Sequence, residues 1–175
     1  NSLTSMPVNV VSYTSSDAVR LGDKFTVTGD FSNGTAAIWA ASASAGIGKV
    51  YKWTMSGGSF NATPTEITLS DGAAGGSASV GPLPNGDFYW KATGSSAKKY
   101  QANGTLIGTV PGAVVATGSN AIRFLGTVGT SEFFVVFQYG AGNENARIVE
   151  VPNGDPTLAA TYAVTPSLGT NSNPN

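Results

Sequence analysis

Carboxylates are the only side chains of this sequence that could supply a general acid and a general base. The chain has ten Asp and Glu residues but no His and no Cys. This excludes an imidazole base, a Ser-His-Asp triad, a thiol nucleophile and His- or Cys-ligated metals. A glycosidase needs two carboxylates about 5 to 9.5 Å apart. The candidates are Asp23 and Asp30, which flank one predicted strand, and the single residues Asp87, Glu132, Glu144, Glu150 and Asp155.

Most of these carboxylates lie beside Gly or Asn, which favours turns over catalysis, because Asp commonly hydrogen-bonds within a turn. Residues 70–72 (Ser-Asp-Gly) and 143–145 (Asn-Glu-Asn) are the nearest to a calcium loop, but neither has its D-x-D-x-D-G spacing. Residues 72–76 are Gly-rich without the Gly-Lys-Ser/Thr of a phosphate loop, so we expect a loop between repeats. The sequence predicts no cofactor and no metal.

Aromatic rings are the other group that could act on a ligand, because sugars stack on them. Trp39, Trp53 and Trp90 all lie inside predicted strands, where packing between sheets is the competing interpretation. Tyr89 and Trp90 are neighbours, so they must point to opposite faces of their strand. At most one of the two can be buried in a given layer between sheets.

The charge of the chain argues against a nucleic-acid partner. Charged residues make up 11% of the sequence, and nine Lys and Arg oppose ten Asp and Glu, giving a net charge of -1. The pair Lys98-Lys99 is interpreted as a solvated strand edge rather than a basic patch. The sequence has no apolar run of about 18 residues, so no transmembrane segment is expected.

The elements that must position these side chains are predicted to be strands. Helical periodicity is nearly absent, whereas short runs of β-branched and aromatic residues alternate with turn signals. Four Asn-Gly pairs supply the positive φ angles of tight hairpin turns. They are Asn33-Gly34, Asn85-Gly86, Asn103-Gly104 and Asn153-Gly154.

The predicted strands fall into three groups of four. The first group is 24–28, 35–41, 49–55 and 66–69; the second is 77–80, 87–92, 97–101 and 105–110; the third is 120–125, 132–139, 146–151 and 158–164. Tyr51, Tyr100 and Ile148 mark the third strands at steps of 49 and 48 residues. Four strands recurring at this period are typical of propeller blades.

We therefore predict an all-β, antiparallel fold of four-stranded repeats, as three blades of a β-propeller-like fold, with a β-sandwich as the alternative. Residues 1–21 would be a lead-in with an extra strand at 8–13. The repeats would span 22–165, as 22–70, 76–110 and 119–165, and residues 166–175 would be a tail. Since propellers use four to eight blades, we expect a fragment or one part of an assembly.

Residues 20–30 and 35–41 resemble an uncharacterised secreted propeller-like family of Bacteroidetes, classed as a domain of unknown function. Further matching segments are 50–53, 85–90, 100–104 and 165–169. The resemblance spans most of the chain, and its motifs are turns and strand aromatics. It implies an extracellular or outer cell-surface protein, with glycan handling as a frequent theme, and it carries over no catalytic residue.

These observations predict a non-enzymatic extracellular binding module with carbohydrate as its ligand class. The alternatives are a structural surface or filament subunit completed by another chain, and a carboxylate-based glycan-cleaving enzyme. The expected partner is a glycan or a surface protein, or the remaining blades or another chain. The predicted ligand-binding residues are Trp90, Asn143, Glu144 and Asn145, with loops 42–48, 93–96 and 140–145 forming the binding face.

Overall fold

The protein is all β. The computed structural model describes residues 13–14, 21–42, 46–115, 118–138 and 145–164. These residues form thirteen strands in three antiparallel sheets, none of which closes on itself. In this part of the chain no helix has the length and apolar character needed to cross a membrane.

Each sheet is a meander in which strands that follow one another in sequence pair side by side. Sheet 1 contains β1 (Leu21–Thr28), β2 (Ala37–Ser42), β3 (Lys49–Ser56), β4 (Ser59–Phe60) and β5 (Thr65–Thr68). Sheet 2 contains β6 (Ser79–Pro82), β7 (Phe88–Lys91), β8 (Lys98–Tyr100) and β9 (Leu106–Thr109). Sheet 3 contains β10 (Ser119–Val128), β11 (Ser131–Gln138), β12 (Asn145–Val151) and β13 (Ala160–Val164).

This topology confirms the predicted antiparallel four-stranded repeats. Within sheet 1, β4 and β5 share one edge of β3, where β4 pairs with Met55 and Ser56, and β5 with the segment from Lys49 to Lys52. Two 3-10 turns, Pro152–Gly154 and Pro156–Leu158, lie between β12 and β13. The extra strand predicted at 8–13 lies outside the described residues except for its last position.

Sheet 2 lies between the other two sheets. Phe88, Trp90 and Tyr100 pack in a core with side chains of sheet 1, among them Trp39. Tyr89 packs in a second core with side chains of sheet 3, where its ring centroid lies 4.7 Å from that of Phe134. Neighbouring residues of one strand thus fill two different layers, as the alternation of the strand predicts.

The first strands of the three sheets lie next to one another. The Thr26 hydroxyl of β1 donates to the Val80 carbonyl of β6 at 2.8 Å. On the other side of β6, the Ile122 amide of β10 donates to the Ser79 hydroxyl at 2.9 Å. A Cβ added to Gly81 would lie 3.0 Å from the backbone nitrogen of Phe124, so glycine permits this close approach. Strand β6 is therefore held between β1 and β10.

The two outer faces of the stack carry apolar side chains. On sheet 1, Phe25 and Val27 are 52% and 51% exposed, while Tyr51 and Trp53 are buried on the same face. Tyr13 packs against this buried pair, with its ring centroid 5.9 Å from that of the indole. The outer face of sheet 1 is thus covered at β3 and open at β1.

Truncating Trp90 should cost stability because the ring is 2% exposed between sheets 1 and 2. We expect Trp90→Ala to lower the free energy of unfolding by about 3 to 5 kcal/mol, measured by urea denaturation followed by circular dichroism. The control Ile107→Ala, at a side chain that is 40% exposed, should change it by less than about 1 kcal/mol. Equal losses in both variants would contradict the core position of Trp90.

Candidate functional site

A groove of about 580 Å³ opens between sheets 1 and 2, at the end where each first strand turns into the second. Its walls come from the ends of β1 to β3 and from the β6–β7 turn, and β10 contributes Arg123 and Phe124. The lining residues are Thr26, Val27, Thr28, Gly29, Thr35, Ala37, Trp39, Lys52, Thr54, Pro82, Leu83, Pro84, Gly86, Arg123 and Phe124. Pockets of this size commonly hold small molecules.

Trp39 is among the groove-lining residues, but its side chain is only 3% exposed in the core between sheets 1 and 2, so it shapes the groove rather than offering a free ring face. Its Nε1 donates to the Thr28 hydroxyl at 3.1 Å, which fixes the ring orientation. Trp39 pairs with Lys52 across β2 and β3, and the Lys52 Nζ lies 4.5 Å from the ring centroid. Because paired residues share a face of the sheet, strand register alone brings this ammonium over the indole.

Arg123 brings a second cation to the groove from sheet 3. Its Nη2 donates to the Phe25 carbonyl at 2.9 Å and its Nη1 to its own neighbour, the Ile122 carbonyl, at 2.8 Å. Burial lowers the pKa of the guanidinium, although an arginine stays charged at neutral pH. The side chain therefore ties β10 to β1 while lining the groove.

Six of the fifteen lining residues carry a hydroxyl or a cation, the other nine are apolar or glycine, and none of these described residues is acidic. Thr26, Thr28, Thr35 and Thr54 supply the hydroxyls. Among the described residues, neither Lys52 nor Arg123 has a carboxylate within ion-pair distance. The groove is therefore suited to a polar ligand that accepts hydrogen bonds.

Of the ligand-binding residues predicted from sequence, the two described ones, Trp90 and Asn145, are not among the groove-lining residues. Trp90 is 2% exposed in the core between sheets 1 and 2, so its ring offers no free face in this conformation. Asn143 and Glu144 lie outside the described residues, and Asn145 begins β12. Their binding role stays a prediction. Of the three loops proposed as the binding face, the fully described one, 93–96, joins β7 to β8 and so lies at the opposite end of sheet 2 from the β6–β7 turn that lines the groove.

Sequence reasoning missed both groove cations. Lys52 lies between Tyr51 and Trp53 in a strand. Its alternation with these two aromatic residues indicates that it faces the opposite side of the sheet from them. No local sequence pattern pointed to Arg123, because its contacts are with strands far away in the chain. Its Nη2, for example, donates to the carbonyl of Phe25, which lies 98 positions earlier.

A second polar cluster joins sheets 2 and 3. The Lys99 Nζ lies 2.7 Å from Glu132 Oε1 and donates to the Gly154 carbonyl at 2.8 Å. The Tyr89 hydroxyl donates to Glu132 Oε2 at 2.6 Å. Burial and this hydrogen bond raise the pKa of Tyr89. Both charged side chains are nearly buried, at 6% and 12% exposure.

An analogous cluster joins sheets 1 and 2. The Lys98 Nζ lies 2.6 Å from Asp71 Oδ2, and the Tyr100 hydroxyl donates to Asp71 Oδ1 at 2.9 Å. Burial opposes ionisation of Asp71, but these two donors and the Ala73 amide lower its pKa overall. The interpretation of Lys98-Lys99 as a solvated strand edge is therefore wrong, because the two lysines point into opposite inter-sheet layers.

The remaining described candidates for acid–base chemistry serve turns and local contacts. The Asp30 carboxylate accepts from the amide and hydroxyl of Ser32, which lower its pKa. Asp155 accepts from Thr157 in the same way. The carboxylate of Asp87 accepts from the Ala102 amide. No group of three or more potential metal ligands occurs within the described residues.

Lys91 is a fully buried lysine at the opposite end of sheet 2. Its Nζ donates to the Ala92 carbonyl at 2.6 Å and to the Ser119 carbonyl. Burial, together with the charge of Lys24, lowers its pKa to about 8. The hydrogen bonds to backbone carbonyls give this amine a structural role in joining sheets 2 and 3.

Comparison with known proteins adds no family to this description: no protein-family model and no curated protein matches the chain.

Removing the charge of Glu132 should destabilise the protein, because the Lys99 cation would be left buried without its partner. We expect Glu132→Gln to lower the free energy of unfolding by about 3 kcal/mol. The matched control is Glu66→Gln, since Glu66 pairs with Lys49 at 29% exposure, and its loss should be under about 1 kcal/mol. Urea denaturation measures both, and a larger loss in the control would contradict the role of the buried pair.

Stability should rise with pH between about 8 and 10. The pKa of Lys91 in the folded protein is about 8, below the ordinary value of 10.5, so in this window the unfolded chain binds more protons than the folded one. Above this window the unfolded chain ionises tyrosines whose pKa values are raised in the folded protein, and their contribution to stability is lost. Burial raises the pKa of Tyr89 and Tyr100, and the hydrogen bond to Glu66 raises that of Tyr13 to about 12.

Denaturation midpoints measured at intervals across this window test the effect. We expect Lys91→Met to be less stable than the parent at pH 10, because it removes the amine that donates to the Ala92 and Ser119 carbonyls. Since the variant lacks this titrating amine, its free energy of unfolding should change less between pH 8 and pH 10. A parent protein with a flat profile, or a variant with the same slope, would show that Lys91 does not titrate as described.

Proposed function

We propose that this chain is a non-enzymatic binding module of the extracellular space or the cell surface, and that it binds carbohydrate in the groove between sheets 1 and 2. The observation that carries the proposal is the groove itself. A cavity of about 580 Å³ is lined by four threonines, an indole held by Thr28, and the cations Lys52 and Arg123. Hydroxyl-rich ligands are recognised by such a combination of hydrogen-bond donors and acceptors in a concave site.

We further propose that the three sheets are consecutive blades of a β-propeller-like fold. Support comes from the arrangement of the sheets, in which the first strands β1, β6 and β10 are neighbours and sheet 2 is packed on both faces. Radial sheets whose first strands lie closest to a common axis have this arrangement. A sandwich-like packing of open antiparallel sheets is the alternative description.

Filling the groove tests the binding site. Thr54 lines it from β3, and Ser56 lies two positions further along the same face but outside it. We expect the parent protein to bind at least one member of a glycan panel in isothermal titration, and Thr54→Tyr to weaken that binding at least about tenfold, because its ring would occupy ligand space. The matched control Ser56→Tyr should bind as the parent does.

Two results would count against this function. An absence of heat with every glycan of a broad panel would contradict carbohydrate binding. Equal affinity of Thr54→Tyr and Ser56→Tyr would show that a glycan binds, but not in this groove.

A structural subunit completed by another chain is the second candidate function. It is favoured by the apolar side chains left open on both outer faces, Phe25 and Val27 on sheet 1, and Phe137 and Tyr162 on sheet 3. Exposed apolar patches commonly mark interaction sites. Sedimentation velocity at high protein concentration separates the two candidates, because a stable monomer contradicts assembly through these faces.

A further inference from the structure

The groove carries positive charge from two different sheets. Lys52 comes from β3 of sheet 1 and Arg123 from β10 of sheet 3, and within the part of the chain that the structure describes no acidic residue lines the space with them. The protein as a whole has a net charge of -1, so this local excess of cations does not follow from the composition. Because neither cation has a carboxylate partner among the described residues, a negatively charged group of a ligand could pair with them.

The two cations differ in how firmly they are held. Arg123 is fixed by its bonds to the carbonyls of Phe25 and Ile122. A guanidinium has five N–H donors, so further donors remain for a ligand. An arginine positioned before the ligand arrives loses little conformational entropy on binding.

Lys52 complements this fixed cation. Its ammonium lies 4.5 Å from the Trp39 ring centroid, an attraction that weakly orders a flexible side chain. A lysine presents a compact charge whose three donors rotate freely. The pair thus combines a planar, oriented donor group with an adjustable one, which suits an oxyanion attached to a larger ring.

The simpler explanation for Lys52 is a structural one, in which it only covers the indole of Trp39. That explanation accounts for one cation, but not for Arg123, which lines the same groove from a different sheet. It also does not account for the absence of a carboxylate from the described part of the lining, because a purely structural lysine would be equally well served by an acidic neighbour.

We propose that the groove selects acidic carbohydrate, with Lys52 and Arg123 binding a carboxylate or sulfate group of a sugar. This inference rests on the proposed function and specifies its ligand. Hydrogen bonds to charged groups are about twice as strong as neutral ones, so the acidic group would dominate discrimination. The hydroxyls of Thr28 and Thr54 accept from Trp39 and Asn61, and each keeps a donor for the rest of the sugar ring.

The experiment uses pairs of oligosaccharides that differ only in their acidic group. Oligogalacturonate is compared with its methyl ester, and a sulfated carrageenan oligosaccharide with its desulfated form, by isothermal titration against the whole chain. We expect the acidic member of at least one pair to bind about tenfold or more tightly, and its affinity to fall as salt is raised. The pair that discriminates tells carboxylate from sulfate.

Protein variants then assign the effect to the groove. Lys52→Gln should lose about tenfold in affinity for the acidic member, and Lys52→Arg should retain most of it. The control Lys49→Gln changes the net charge equally on the same strand, at a lysine paired with Glu66 and outside the groove. It should bind as the parent does, which separates a local contact from a general charge effect.

The outcomes also separate this inference from the function on which it rests. Equal binding of acidic and neutral members, or unchanged affinity in Lys52→Gln, would overturn the selection of acidic sugars and leave carbohydrate binding intact. Absence of binding to every member, acidic or neutral, across these pairs and the broad panel would overturn both.

Discussion

The adjacent rings of Tyr89 and Trp90 are buried on opposite faces of sheet 2, at 0% and 2% exposure. This double burial is the constraint on which the rest of the structure depends, because a sheet that is apolar on both faces must be covered on both. Sheet 1 covers one face and sheet 3 the other. Removing apolar surface from water is the dominant favourable term in such packing. The burial of both faces of sheet 2 therefore determines the order of the three sheets.

Polar contacts then fix how the sheets sit on one another. Strand β8 carries Lys98 and Lys99 to opposite faces, where each meets a carboxylate that also accepts a hydrogen bond from a tyrosine, Tyr100 in one layer and Tyr89 in the other. Buried ion pairs contribute little net stability when intact, but leaving one partner alone is costly. Such pairs therefore disfavour slippage between sheets more than they add to the free energy of folding.

The groove is a consequence of this stacking. Because β6 lies between β1 and β10, the ends of the first strands converge, and side chains from sheets 1 and 3 reach one space. Arg123 donates to the Phe25 carbonyl across that convergence. The contact that holds two sheets together thus also presents a cation to the groove, so the candidate binding chemistry depends on the same packing as the fold.

The sequence by itself determined twelve of the thirteen strands, their grouping and their turns, because these depend on neighbours along the chain, whereas the two-residue strand β4 was not predicted. The Asn-Gly turns place glycines such as Gly86 and Gly104 at positive φ, and the alternation at Tyr89 and Trp90 predicted their opposite faces. Only the tertiary structure decided the environment of Lys98-Lys99 and the placement of Lys52 and Arg123 along one groove. The burial of these side chains and their proximity to one another depend on which sheet covers which face. A local pattern of residues does not indicate which distant part of the chain will pack there.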